Sequence, residues 1–130
     1  MPITKRREFG NKGELLAEKF LKDRGYTIIE KNRRVGNLGE IDIITKKSGG
    51  YVFCEVKTRD VSHETDYPIG FSIDERKRNA LKMACEVYLI EIGMDWSMWQ
   101  VDAILITIDR KTDEIKNMEH LENILWERYY

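Results

Sequence analysis

The sequence predicts an α/β fold, a mixed sheet flanked by helices on both faces. Three observations predict it. Residues 39 to 59 hold two short apolar runs around the break Thr45 to Gly50, which ends Ser-Gly-Gly, a hairpin signal. On either side of that hairpin, apolar residues recur at helical spacing, from Phe9 to Leu21 and from Leu81 to Ile92. Trp99 to Ile108 is almost continuously apolar, as expected of a strand covered on both faces. With 130 residues, 42% of them hydrophobic, the chain reads as one domain over 1–130 with a sizeable core.

Residues 5 to 24 read as the first helix, with Phe9, Gly13, Leu16, Ala17, Phe20 and Leu21 on one stripe and Gly25 ending it. Gly10 and Gly13 each cost a helix roughly 1 kcal/mol relative to Ala, so they point to close approach of another backbone or a ligand. Glu14 flanks the stripe and either looks toward the sheet or, with Asn11 three residues earlier, closes a capping box. Tyr26 to Arg34 gives a first strand, and Val35 to Gly39 turns into the second. Asp60 to Phe71, polar and holding Pro68 and Gly70, reads as a loop. Ser72 with Glu75 opens the second helix as a capping box, and Gly93 stops it. Lys77 interrupts the buried stripe of that helix. After a turn at Asp109 to Thr112, Ile115 suggests an edge strand. Met118 to Arg128 reads as a last helix, with Met118, Leu121, Ile124 and Leu125 inward and Trp126, Tyr129 and Tyr130 as an aromatic end. A helix between strands three and four implies a right-handed crossover, so those two strands run parallel.

Composition excludes several classes. Cys54 and Cys85 sit far apart among apolar neighbours and read as buried thiols, not a disulfide framework. His63 and His120 are isolated, so no zinc-ligand spacing is visible. No apolar run approaches membrane-spanning length, and a cytoplasmic setting follows by default. The net charge of −1 does not by itself call for a nucleic-acid partner. Basic clusters at Lys5–Arg7, Lys31–Arg34 and Arg76–Lys82 could hold phosphates locally, although a single cluster is more often a solvated face.

The chemistry concentrates in the hairpin. Side chains alternate along a strand, so Ile41 and Ile43 are expected on one face and Glu40 and Asp42 on the other. Phe53, Glu55, Lys57 and Arg59 share a face of the next strand, which brings Asp42 toward Glu55 and Lys57. Two adjacent carboxylates stay ionised together only with a cation between them. An oxygen-only ligand set favours Mg²⁺ or Mn²⁺ and leaves water positions open for metal-assisted hydrolysis. Lysine beside such a pair suits phosphodiester chemistry, and no Ser-His pair or activated Cys points to acyl transfer. The same residues also fit an ordinary cross-strand ion pair on a solvated face. Asp102, within the apolar fourth strand, needs a partner, because an unpaired buried carboxylate costs several kcal/mol. It could hold Lys77 or another cation.

Asp42 followed thirteen residues later by Glu55-Val56-Lys57 resembles the PD-(D/E)XK nuclease pattern. Gly10-x-x-Gly13-Glu14-x-x-Ala17, Gly39-Glu40-Ile41-Asp42-Ile43-Ile44, Phe53-Cys54-Glu55-Val56-Lys57-Thr58-Arg59, Lys77, Ala84, Tyr88-Leu89 and Asp102 resemble the YraN-like family of bacterial proteins, which is similar to archaeal Holliday junction resolvases. The likeness covers the chain to about Ile108. It implies a restriction-endonuclease-like core of helix, three antiparallel strands, helix and strand. It further implies Asp42 and Glu55 as metal ligands with the Val56 carbonyl, Lys57 as catalytic lysine and Glu14 as a carboxylate near the metal or substrate. Gln100 stands where the family usually has Arg, Cys54 where it has an aliphatic residue, and either Arg33 or Arg34 takes the family's arginine position. The expectation is a Mg²⁺- or Mn²⁺-dependent DNA endonuclease acting on branched DNA, without membrane association, as a homodimer. Arg33, Arg34, Arg59, Arg76 and Lys77 would contact phosphates, and Glu40 and Asp102 would support the site. The alternative is a nucleic-acid-binding module that does not cut.

Overall fold

The computed structural model describes residues 5–63 and 75–125. Helix α1 spans Lys5–Asp23, followed by β1 (Thr27–Arg34), β2 (Glu40–Lys47) and β3 (Gly50–Asp60). A short 3₁₀ turn (Val61–His63) leaves β3. Helix α2 spans Glu75–Glu91, followed by β4 (Trp99–Asp109) and β5 (Glu114–Leu121). The strands lie in the order β1-β2-β3-β4-β5. β2 runs antiparallel to both β1 and β3, β3 and β4 run parallel, and β5 returns antiparallel to β4. This is the expected α/β order of helix, three antiparallel strands, helix and parallel strand, with one further strand after it. Among the described residues, no helix is long and apolar enough to cross a membrane.

Each helix covers one face. Ala17 and Leu21 of α1 pack with Ile43, Val52, Cys54, Ile104 and Ile106. Leu81, Ala84, Cys85, Tyr88 and Leu89 of α2 pack with Ile44, Phe53, Val101 and Ala103 on the other face. Burying apolar area on both faces contributes about 25 cal/mol per Å² and explains why β4 carries so few polar residues. Both cysteines are free and buried. The β2–β3 turn pairs Lys47 with Gly50 and places Ser48 and Gly49 at φ 52° and 81°. Two consecutive positive φ values make a two-residue turn whose twist matches the strands it joins.

Gly13 meets the close approach expected of it. A Cβ built there would lie 1.7 Å from Thr58 Oγ1 and 2.9 Å from Thr58 Cβ. The missing side chain lets α1 lie directly on β3. Gly10 has nothing within 4 Å of the corresponding position, so no backbone approach accounts for it. Gly13→Ala is expected to destabilise by about 1–3 kcal/mol through overpacking, despite the better helix propensity of Ala. A lower urea midpoint at unchanged m-value would register the loss, and adding Thr58→Ala should restore part of it.

Three expectations need correction. Residues 118–121, read as the start of a helix, belong to β5. The β4 backbone would otherwise present a row of unpaired N–H and C=O groups, and pairing from Asp109↔Glu114 to Ala103↔Leu121 satisfies them at the expense of the local helical pattern. Ile124 is buried nonetheless, and its N–H donates to Val101 O (2.7 Å). Ile41 and Ile43 do not share a face: Ile43 packs under α1, Ile41 under α2. The alternation of β2 breaks at Asp42, where its regular pairing with β3 has ended at Ile43↔Cys54 and only the β1 side still holds the strand; opposite, Asn32 takes a left-handed φ of 53°. Ile92, expected on the buried face of α2, is 39% exposed at its end. Most of the 60–71 loop, the Ser72 cap and the aromatic end at Trp126, Tyr129 and Tyr130 lie outside the described residues.

Candidate active site

Regular β2–β3 pairing runs from Lys47↔Gly50 to Ile43↔Cys54. Just beyond it, Val56 N–H donates to Asp42 Oδ2 (2.8 Å). That bond fixes the Asp42 carboxylate against the β3 backbone beside Glu55. From α2, Lys77 Nζ lies 3.9 Å from Glu55 Oε1. From α1, Glu14 arrives one residue after the Gly13–Thr58 contact, so the same close packing that seats the helix carries this carboxylate to the sheet. Helix α1 is already formed at Lys5, which puts Asn11 to Glu14 in its interior and removes the capping-box reading. From β1, the Asn32 amide, turned so that its nitrogen faces the acids, donates to Glu14 Oε1 (2.7 Å) and Glu40 Oε1 (3.0 Å). Five elements, α1, β1, β2, β3 and α2, thus converge on one group of carboxylates.

Burial and mutual repulsion keep these acids protonated to unusually high pH. Asp42 is raised to about 6, by burial first, and Glu40 adds to the rise, while the Val56 N–H and the Lys77 charge oppose it. Glu55 is raised to about 7, by burial and then by Asp42, against the pull of Lys77 and Lys57. Glu14 is raised by burial, Asp42 and Glu40, against the Asn32 hydrogen bond. Carboxyls poised this close to neutrality in a recess are what a charged ligand or a proton transfer requires.

Lys57 is exposed and lines, with Glu14 and Val56, an open cavity of about 860 Å³ between α1 and β3. Glu40, Glu55 and Lys77 line a smaller one of about 120 Å³. Among the other expected phosphate contacts, Arg34 and Arg76 are exposed. Arg59 donates from Nε to Thr107 Oγ1 (3.0 Å). Arg33 is committed within the fold: its guanidinium meets Glu30 and Glu91, each at 3.0 Å, and lies 5.4 Å over the Tyr88 ring. Two carboxylates leave little of its charge for a phosphate.

Asp102 lies away from the group. It pairs with Cys54 under α1, on the face opposite Glu55 and Ala103, and is fully buried. Its Oδ1 accepts from Gln100 Nε2 (2.8 Å) and Asn123 N–H (2.9 Å), and its Oδ2 lies 2.8 Å from His120 Nε2. His120, expected to be isolated, therefore has a partner, and with Glu122 the three bring ligand atoms within 4.8 Å of one another. That set could hold a divalent metal. Among the described residues, Asp42, Glu55 and Glu14 do not gather three side-chain ligand atoms that tightly. A metal beside Asp42 would take two carboxylates and complete its ligands with the Val56 carbonyl. The donors there are all hard oxygens, which fits Mg²⁺ or Mn²⁺. Asn32 escaped the sequence reading altogether. The signal available was a neutral amide inside a basic run.

Residues 13–106 match the family model described as "Uncharacterised protein family UPF0102". A UPF0102 protein of Carboxydothermus hydrogenoformans is 36% identical over 121 residues, covering 92% of this chain and 97% of its own. One from Moorella thermoacetica is 38% identical over 111 residues, covering 85% and 89%. A solved structure titled "Structure of EndoMS-dsDNA2 complex" superposes with TM-score 0.39 at 16% identity, over 81% of this chain and 36% of that one, a likeness too loose to bear on function.

Proposed function

We propose that this chain, which belongs to the UPF0102 family, is a metal-dependent DNA endonuclease that hydrolyses phosphodiester bonds, with branched DNA as its substrate. The observation that carries the reading is the Asp42–Glu55 pair: two half-buried carboxyls, Asp42 held by the Val56 N–H and Glu55 beside it on β3, with Lys57 two residues on. A buried like-charged pair is costly unless it serves a charged ligand.

In this reading Asp42, Glu55 and the Val56 carbonyl hold Mg²⁺ or Mn²⁺. When bound, the cation supplies Lewis-acid stabilisation of charge on a phosphoryl oxygen. Lys57 donates an N–H to a non-bridging oxygen of the scissile phosphate and offsets the charge that grows there. Glu14, whose affinity for protons is raised, accepts or returns a proton at the edge of the reaction, and Asn32 keeps its Oε1 oriented. Lys77 offsets the charge of Glu55 from the α2 side. Exposed Arg34 and Arg76 are assigned to the DNA backbone outside the pocket, in contacts that position without reading sequence.

Incubating linear, flapped and four-way DNA with Mg²⁺ or Mn²⁺, using wild type and Asp42→Ala, tests this. The reading requires cutting that depends on added metal and disappears in the variant. Binding without cutting under either metal would replace it with the non-cleaving module. A preference for the four-way substrate would support the branched assignment, and association to a dimer can be followed by light scattering on the same samples.

A further inference from the structure

The cavity of about 860 Å³ has two unlike ends. At one end are Glu14 and Lys57. Toward the other are Lys5, Arg59, Phe9 and Arg110, contributed by α1, the end of β3 and the turn after β4. Four cations line a recess whose other carboxylate, Asp60, is occupied. Asp60 Oδ1 accepts the Arg110 N–H (2.9 Å), and its Oδ2 accepts from the Ser62 hydroxyl. Four cations against the two carboxylates Glu14 and Asp60 leave the formal charge of the recess positive.

Arg110 is also anchored over Phe9. Its guanidinium carbon lies 4.3 Å from the centroid of the Phe9 ring, and one of its terminal nitrogens reaches Lys5 O at 3.5 Å. Phe9 backs onto the apolar cluster under α1, so the ring is a support, and the guanidinium it carries is exposed. An exposed guanidinium seated over an aromatic ring on one side has its other side open to a flat π-system. A positive groove with a stacking platform is how single strands are held without sequence preference.

We propose that this recess takes an unpaired stretch of the DNA strand leading to the carboxylates, with a base stacked on Arg110. The substrate is then DNA with a splayed or flapped strand at the cleavage point. This rests on the nuclease reading for its direction, but the stack itself is a binding property and can be measured alone.

Anisotropy titrations in Ca²⁺ would compare a blunt duplex, the same duplex with a single-stranded flap, and the flap strand alone. Wild type should hold the flapped duplex about tenfold tighter than the blunt one, the scale of one stacked base. Arg110→Ala should lose that preference and leave blunt binding within about twofold. Arg110→Lys keeps the charge and loses the plane; it should keep the salt dependence of binding and still lose the flap preference. Equal wild-type affinity for blunt and flapped DNA overturns the proposal. So does an Arg110→Lys variant that retains the preference, since charge alone would then account for it. Cleavage on the same substrates separates the two readings. An Arg110-dependent flap preference without cutting removes the nuclease and keeps the stack, while equal cutting of blunt and flapped DNA removes the stack and keeps the nuclease.

Discussion

Asp42→Asn is expected to raise the melting temperature of the protein at pH 8 and to abolish DNA cutting, by at least about a thousandfold if loss of a ligand carboxylate resembles loss of other central electrostatic groups. The two effects share one cause. Asp42 and Glu55 have folded-state pKa values of about 6 and about 7, above the ordinary carboxylate range. Folding therefore favours their protonated forms. Their contribution to stability is complete below about pH 4 and is lost as the pH rises through 6 and then 7. At pH 8 both are charged, and the native state carries repulsion that the unfolded chain does not. One pKa unit corresponds to 1.36 kcal/mol, so a neutral amide at position 42 should recover on the order of 2 kcal/mol, several degrees in melting temperature for a chain of this size. Scans at pH 5 and pH 8 check the sign: the wild type gains on acidification, and Asp42→Asn gains less. Mg²⁺ or Mn²⁺ at pH 8 should stabilise the wild type and leave Asp42→Asn unchanged. A variant less stable than wild type at pH 8 would show that the carboxylate is a structural anchor.

Asp102→Ala is expected to have the largest effect on stability, a loss of about 3–5 kcal/mol. The substitution strands the Gln100 amide, the Asn123 N–H and the His120 ring around an empty space, and a buried donor left unsatisfied costs about 1–3 kcal/mol. His120→Ala removes a single partner from the rim and should cost clearly less. Chemical denaturation of the two variants beside wild type measures both losses. The losses should leave DNA affinity at low temperature unaltered, because Asp102 and its partner His120 lie beside Phe20 and Tyr26, at the other end of α1 from Glu14.

What the sequence made legible was whatever depends on period and on short-range spacing. The hairpin, both helix stripes and the parallel central pair follow from alternation and from the apolar run of β4. Asp42 and Glu55 come together because a tight Ser48-Gly49 turn leaves little freedom of register. What stayed hidden depends on contacts between elements. Nothing local to Arg33 announces that Glu91, 58 residues on, will neutralise it. Asp102 advertised its need for a partner, but the partner arrived on β5, and β5 exists because β4 needed one. The alternation of β2 breaks at Asp42, where regular pairing with β3 has ended, and no period reveals that. Glu14 could be assigned to the interior only once α1 was seen to begin earlier than the capping spacing suggested.

The sheet also has two outer margins, and neither welcomes another strand. On β1 the register slips between Ile28 and Glu30, which leaves Ile29 43% exposed at an irregular edge. On β5 the exposed side chains include Glu114, Lys116 and Asn117, with Lys116 paired to Glu114. A bulge on one margin and charges on the other are how open sheets avoid recruiting a neighbour's backbone. Polymerisation by strand addition is thereby disfavoured at both ends. Two copies that associate are expected to do so through side chains and not by merging their sheets at these two margins, which would leave the five strands and the carboxylate pocket of each copy intact.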